Sequence, residues 1–418
     1  MIMEKFDLEN LEHAYDKGLD KRLTIDGVNK TYSSYKLPIA SLYYNDLNGR
    51  IASCIEEYND THDDNVSVLK DNDVEKYNDI LADYIVDSAV DNGDSFNKTK
   101  EDIRAKGQQI PGVVLTDGRI IDGNRRFTAL RKLYKETGDP RFAYFEAVCL
   151  KAPSEGDKDG WKKIKSLELN LQFNVDDRKD YNRIDELVSF YRDVMDDSTK
   201  MFDEKSYCFA SGLKKGKFND NKRVVNIMLD YLDWRGKPKA FYILKNEKLD
   251  GPIEDIAKAT AKMNPDEWNS KKDVIYQYMT IMDEGDRTRN IRDLLKSAKT
   301  DGQLYQHVSK NMEANAVKIV DYMSAVDKKA ETAQETTSRN ELKKSLSDGI
   351  KDAYSDGRYF ESETNASIEP AKNVEKAIKA LTDIDVPSIK QLSDEAKKDL
   401  ADKLNLLKDK IKELEDVE

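Results

Sequence analysis

The period of the apolar positions changes along this chain. In residues 73–90, Tyr77, Ile80, Leu81, Tyr84, Ile85 and Ala89 recur every three or four residues, which predicts an amphipathic helix. "TKEDIRAKGQ" (99–108) predicts a shorter helix closed by Gly107. The pattern then tightens. Val113-Val114-Leu115 and Arg119-Ile120-Ile121 flank Asp117-Gly118, the signature of a β-hairpin. Leu37–Ile39 before a turn at Asn48-Gly49, and "FAYFEAVCL" (142–150), read as further strands, and 126–136 and 161–173 as helices. Residues 36–175 therefore form a compact α+β unit. The preceding 1–35 reads as an extension with a short helix and a polar connector.

Beyond residue 176 the strand signals nearly vanish. Residues 180–195 predict an amphipathic helix, and 206–234 read as helix, glycine turn, helix. More helical patterns fill 252–325. Residues 326–387 are polar and read as a linker with helices, with "SDGRYFESETNASIEPAKN" as the linker itself. In 388–418, Leu400, Leu404, Leu407, Ile411 and Leu414 alternate spacings of four and three, which is a heptad seam. It serves either a homodimer or packing on preceding helices. The expected class is an α+β N-terminal domain, then a mainly helical region ending in a coiled-coil helix.

Composition narrows the function. With 38% hydrophobic and 36% charged residues, the chain suits a soluble, helix-rich protein. No apolar run of about 18 residues exists, so no membrane span is expected. The N-terminus lacks the pattern of a signal peptide. Cys54, Cys149 and Cys208 are few and far apart, as are His13, His62 and His307. That disfavours a disulfide framework, a Cys or His metal site and a His-based triad, and fits a cytoplasmic setting. The net charge of -12 argues against a surface coated for nucleic acid, but the charge is uneven. Residues 205–246 hold ten Lys/Arg against three Asp, and 104–135 hold eight against two. Two basic islands suggest two anion sites.

The first island centres on "RIIDGNRRFTALRK" (119–132). Gly123 allows close approach of a ligand or backbone. The helix after it offers unpaired N–H groups and the positive end of its dipole, with Asn124 as a suitable N-cap. Arg125 and Arg126 add planar forks that match phosphate oxygens. The combination is a phosphate site. The competing reading pairs both arginines with nearby acids.

At this point the sequence resembles the ParB family, whose N-terminal domain shares its fold with sulfiredoxin. "KLPIASLYYNDLNGRI" resembles the family's opening strand and turn. "IRAKGQQIPGVVLTDGRIIDGNRRFTAL" resembles its Gly…Gln-Pro segment, hairpin and Gly-Glu-Arg-Arg motif. "LELNLQFNVDDRKDYNRIDELVSFYR" is similar to its Glu-Asn-x-Gln-Arg segment and following helix. The resemblance implies a nucleoside triphosphate, CTP with Mg2+, held by Gly107, Gln109, Gly123, Asn124, Arg125, Arg126 and Asn170. Asn170 and the neighbouring Glu168 are the candidates for metal. The departures bear on hydrolysis. Asn124 replaces the motif glutamate, Ile110 replaces the glutamine before Pro111, Leu169 replaces the metal-binding glutamate, and Phe173 the final arginine. Nucleotide binding with slow or no turnover is expected. Sulfiredoxin chemistry is excluded, because Asn124 stands where its nucleophilic cysteine would be.

The second island matches the family's helix-turn-helix. Tyr207–Leu213 is expected as its first helix, Gly216 in the turn and Asn219–Trp234 as the recognition helix. Lys222 and Arg223 would meet base edges of double-stranded DNA, and Lys214, Lys215 and Lys217 its phosphates. The competing reading is a helical hairpin with a basic rim. The resemblance thus implies a DNA-binding protein of plasmid, prophage or mobile-element maintenance, associated with nucleoid or plasmid. The alternatives are a nuclease or other phosphoryl-transfer enzyme in the same pocket, and an interaction adaptor that has lost the nucleotide. A nuclease needs clustered carboxylates, and Asp117, Asp122 and Glu168 form no recognised ligand pattern.

Overall fold

The computed structural model describes residues 5–415 apart from 26, 47, 63, 88–93, 174–181, 262 and 329–331. Ala89 and the stretch that joins residue 173 to Asn182 lie outside the described residues.

The N-terminal unit is built on a five-stranded sheet. Its strands are β3 (Tyr35–Pro38), β4 (Tyr43–Tyr44), β5 (Gly112–Leu115), β6 (Arg119–Asp122) and β7 (Tyr144–Leu150), in the order β3-β7-β5-β6-β4. β5 runs parallel to β7 and antiparallel to β6, and β4 runs parallel to β6. Gly118, at φ +93, turns the β5–β6 hairpin. Alternation along the strands sends side chains to two different cores. On one face Val114, Ile120 and Phe145 meet Phe127, Leu130 and Leu133 of helix Asn124–Thr137 and Tyr77, Leu81 and Ile85 of helix Val74–Asp87. On the other, Val113, Leu115, Ile121 and Val148 meet Leu167 of helix Lys158–Phe173 and Leu23.

Leu23 belongs to a hairpin, where a polar connector is expected from the sequence. β1 (Lys21–Ile25) pairs antiparallel with β2 (Val28–Tyr32), and Gly27 turns between them at φ +75. Only Leu23 of β1 is fully buried, so the hydrophobic pattern is one residue deep. Helices Ala52–Thr61 and Val66–Asn72 are likewise additions to the sequence-based expectation.

The helical region shares one core that runs from Ile184 to Ile350. Helix Arg183–Val194 supplies Leu187, Val188 and Phe190, and helix Lys215–Trp234 supplies Val225, Met228 and Leu232. The expected linker is helical. A single helix spans Ala333–Thr382, opened by a capping box between Thr332 and Glu335. Leu342, Leu346, Ile350 and Tyr354 lie four residues apart and pack into the core. That sparse stripe orders an otherwise polar segment. The helical unit therefore reaches past residue 325. Helix Asp394–Glu415 follows, with no buried residue. Leu404, Ile411 and Leu414 of its heptad seam are exposed.

Helix Ala52–Thr61 ties the two units together. Lys245 Nζ lies 2.8 Å from Asp185 Oδ2 and 3.3 Å from Cys54 Sγ, and Ser53 Oγ donates to Asp185. Arg192 Nη2 lies 3.3 Å from Glu56 Oε1. Among the described residues, no helix is long and apolar enough to cross a membrane.

Candidate functional site

The β6–helix junction is held by backbone and core. Gly123 takes φ +98 as the N-cap, so Asn124 is the first helical residue and not the cap. A Cβ at Gly123 would sit 2.8 Å from Phe145 Cζ, so both torsion and space require glycine. Phe127, Ala129, Leu130 and Leu133 anchor the helix below, which fixes its N-terminus at the end of the sheet.

Cations converge there. Asp122 Oδ2 accepts from Lys21 Nζ at 2.6 Å and from Arg126 Nη2 at 3.2 Å. Lys21 also donates to the Pro111 carbonyl at 2.6 Å, and Arg126 Nη1 to the Ile110 carbonyl at 2.7 Å. Lys21, Arg126 and Asp122 side chains are only 13%, 19% and 28% exposed. Burial lowers the Lys21 pKa, and the Asp122 carboxylate opposes that shift. Arg126 thus spends its guanidinium partly on the protein, as the competing reading required. Arg125, one position earlier on the helix, is half-buried. The buried Asn124 Oδ1 has no hydrogen-bond partner among the described residues, so an acceptor stands open at the helix start.

Gly107, at φ +73, ends helix Asp94–Lys106, and its N–H reaches the Ile103 carbonyl at 2.8 Å. Gln109 is exposed and donates to the Lys106 carbonyl at 2.7 Å. The glutamine that secures this loop is Gln108. Its Nε2 donates to the carbonyls of Ile110 and Glu146 at 2.9 and 2.7 Å, and its Oε1 accepts from Glu146 N–H at 2.9 Å. Gln108 so positions the carbonyl that Arg126 uses.

The two metal candidates separate. Glu168 is 2% exposed, and Lys165 Nζ reaches its Oε2 at 3.3 Å. The same lysine lies 3.7 Å from Asp193, whose carboxyl burial pushes up to about 6. Asn170 is half-buried on the helix whose other residues pack on β6 and β1. A core carboxylate already paired to lysine does not fit Mg2+, which asks for oxygen ligands in an octahedron. Among the described residues, no three His, Cys, Asp or Glu side chains gather where a metal ion could be held.

The first basic island is neutral in space. Arg131 pairs with Glu75 at 2.9 Å and Asp79 at 2.8 Å, and Lys135 with Asp79 at 2.6 Å. Lys132 meets Asp83, Arg119 meets Asp46, and Arg104 meets Glu101 and Glu136. Glu75, Asp79 and Asp83 absorb three of the island's cations, and acids elsewhere take Arg104, Lys106 and Arg119.

The second island divides. Arg235, Lys239 and Lys245 are paired with Glu247, Asp196 and Asp185. The others, apart from Lys237, lie on two helices and the short turn that joins them. The first helix is Glu204–Ser211, opened by a capping box between Asp203 and Ser206. Gly212 takes φ +69, and the turn is Gly212-Leu213-Lys214. The second helix, Lys215–Trp234, starts four residues before the expected Asn219. Gly216 therefore lies in the helix and not in the turn; Gly212 is the turning glycine. Phe190 locks both helices, with ring centroids 5.2 Å from Tyr207 and 5.1 Å from Phe218. Lys214, Lys215, Lys217, Lys222 and Arg223 are all exposed. Lys215 pairs with Glu204 at 2.8 Å and Arg223 with Asp220. Lys214, Lys217 and Lys222 make no ion pair among the described residues. Lys215, Asn219, Lys222 and Asn226 share an exposed face at helical spacing. Asn219 and Asn226, exposed on that face, were not among the expected site residues.

A cleft of about 960 Å³ lies at the far end of β1 from Lys21, between Ile25, Leu150, Pro153 and Ile164. No residue of the Gly123–Arg126 turn lines it. In comparisons with known proteins, no family model and no curated sequence matches this chain.

Proposed function

We propose that this chain is a ParB-like DNA-binding protein that takes a nucleoside triphosphate at the Gly123–Arg126 turn and serves partition or maintenance of a plasmid, prophage or mobile element. The observation that carries this reading is the helix-turn-helix. A chain of net charge -12 exposes Lys214, Lys215, Lys217, Lys222 and Arg223 together at the start of its second helix. Lysines so placed reach phosphates, and the face of Asn219, Lys222 and Asn226 is free to meet base edges.

Support for the nucleotide is the glycine at the helix start with Lys21, Arg125 and Arg126 around it. The triphosphate is CTP by resemblance, and Mg2+ enters with its phosphates. Turnover is slow in this reading, since Glu168 is bound to Lys165. A second copy of the chain joins through the exposed seam of helix Asp394–Glu415.

One observation favours the adaptor reading: Arg126 is engaged by Asp122 and by the Ile110 carbonyl. Calorimetric titration with CTP, ATP and GTP, with and without Mg2+, separates the two, because an adaptor binds none of them. Duplex binding followed by fluorescence anisotropy across a salt series tests the DNA reading. Affinity that does not fall with salt overturns it.

A further inference from the structure

Phe209 is 77% exposed, the highest value among the large apolar side chains described. It stands on helix Glu204–Ser211, whose opposite face buries Tyr207, Ala210 and Ser211. Packing within the chain therefore does not explain its direction. Its neighbours along the chain are mostly cationic. Lys205 lies one turn earlier on the same face and is exposed. The helix ends two residues later at Ser211, exposed Lys214 lies in the turn, and exposed Lys215 and Lys217 follow it. From 204 to 217 four lysines stand against one acid, Glu204.

That charge selects a polyanion as the occupant. A phenyl ring offers a phosphate no hydrogen bond, so the ring is rewarded only by a flat apolar partner within the same polyanion. Bases are such partners, but an intact duplex hides their faces in the stack. Single strands, and steps opened by a kink, present them. Aromatic rings set among lysines along a backbone track are the physical form of a single-strand site.

We infer that Phe209 is a stacking platform for an unpaired base of single-stranded or locally opened DNA, with Lys205, Lys214 and Lys217 holding the flanking phosphates. The inference deepens the DNA-binding reading above and rests on it. It assigns the first helix of the motif a ligand contact separate from the base-edge face of the second.

The test uses the full chain, a fluorescein-labelled oligo(dT) strand and a duplex of equal length, read by anisotropy. Phe209→Ala is expected to weaken oligo(dT) binding roughly fivefold to a hundredfold, and duplex binding by less. Phe209→Leu keeps the apolar bulk without the π face and should behave as Phe209→Ala, while Phe209→Trp should restore binding. The salt slope should stay unchanged in Phe209→Ala and decrease in Lys214→Ala/Lys217→Ala. Unaltered oligo(dT) affinity in Phe209→Ala, with duplex binding by wild type intact, overturns this inference alone. Full affinity in Phe209→Leu also overturns it, and a lower mass of Phe209→Ala in light scattering assigns the ring to a second copy instead. Wild type that binds neither probe at low salt removes the DNA reading itself. Thermal melts of the three variants confirm folding.

Discussion

Lys21 Nζ lies 2.6 Å from Asp122 Oδ2, and the same oxygen accepts from Arg126 at 3.2 Å. One carboxylate thus holds two cations at the head of a helix, in the position where an anionic ligand would compete for them. The β1–β2 hairpin, which had no role in the sequence reading, delivers one of the two.

Asp122→Asn should act in opposite directions on stability and on ligand. It leaves two largely buried cations with a weaker partner, and should cost about 1–3 kcal/mol of stability. It also removes the internal competitor, so triphosphate affinity should rise. A thermal melt and a titration on the same variant check both; weaker triphosphate binding would assign Asp122 to the ligand instead.

Arg125→Ala and Arg126→Ala should each weaken triphosphate binding by about 1.5–3 kcal/mol, the range for a hydrogen bond to a charged group. Arg126→Ala should in addition lower the melting temperature, because the Ile110 carbonyl and Asp122 lose a donor. Unchanged affinity in both variants puts the nucleotide elsewhere.

Lys222→Ala/Arg223→Ala should reduce affinity for a selected duplex more than for random duplex. Lys214→Ala/Lys217→Ala should weaken both equally and lower the salt slope by about two. Anisotropy on the two duplexes distinguishes base contact from phosphate contact.

Truncation after residue 385 removes helix Asp394–Glu415, and Leu404→Asp places a charge in its seam. Each should halve the mass seen by light scattering, since an unpaired charge is costly to bury. Equal masses before and after truncation mean that the helix does not join two copies.

Glu56 gives a pH signature. Burial pushes its carboxyl up to about 7, against the opposing pull of Arg192. The folded protein therefore holds this proton more tightly than the unfolded chain. Its contribution is complete below the unfolded value near 4.3 and is lost as pH rises through about 7. Stability of wild type should fall from pH 5 to 8 relative to Glu56→Gln. Parallel curves would show that Glu56 does not titrate in that window.

The sequence by itself determined the local order: the hairpin around Asp117-Gly118, the amphipathic helices, the glycine-to-helix junction and the heptad spacing from Leu400 to Leu414. These follow from periods of two, three and four residues and from turn glycines, which neighbouring residues decide. It did not reveal helix Ala333–Thr382, because Leu342, Leu346 and Ile350 order a polar segment only when a distant core receives them. Nor did it reveal which charges remain. Arg131 reaches Glu75 across 56 positions, and Lys21 reaches Asp122 across 101. Charge counted along a chain is not charge in space, so only tertiary structure decided that the first basic island is mostly neutralised while the turn before Lys215 stays bare. Burial worked the same way on Glu168: helical spacing sets its direction, but the packing of Lys165 and Asp193 around it is what turned a candidate ligand into part of the core.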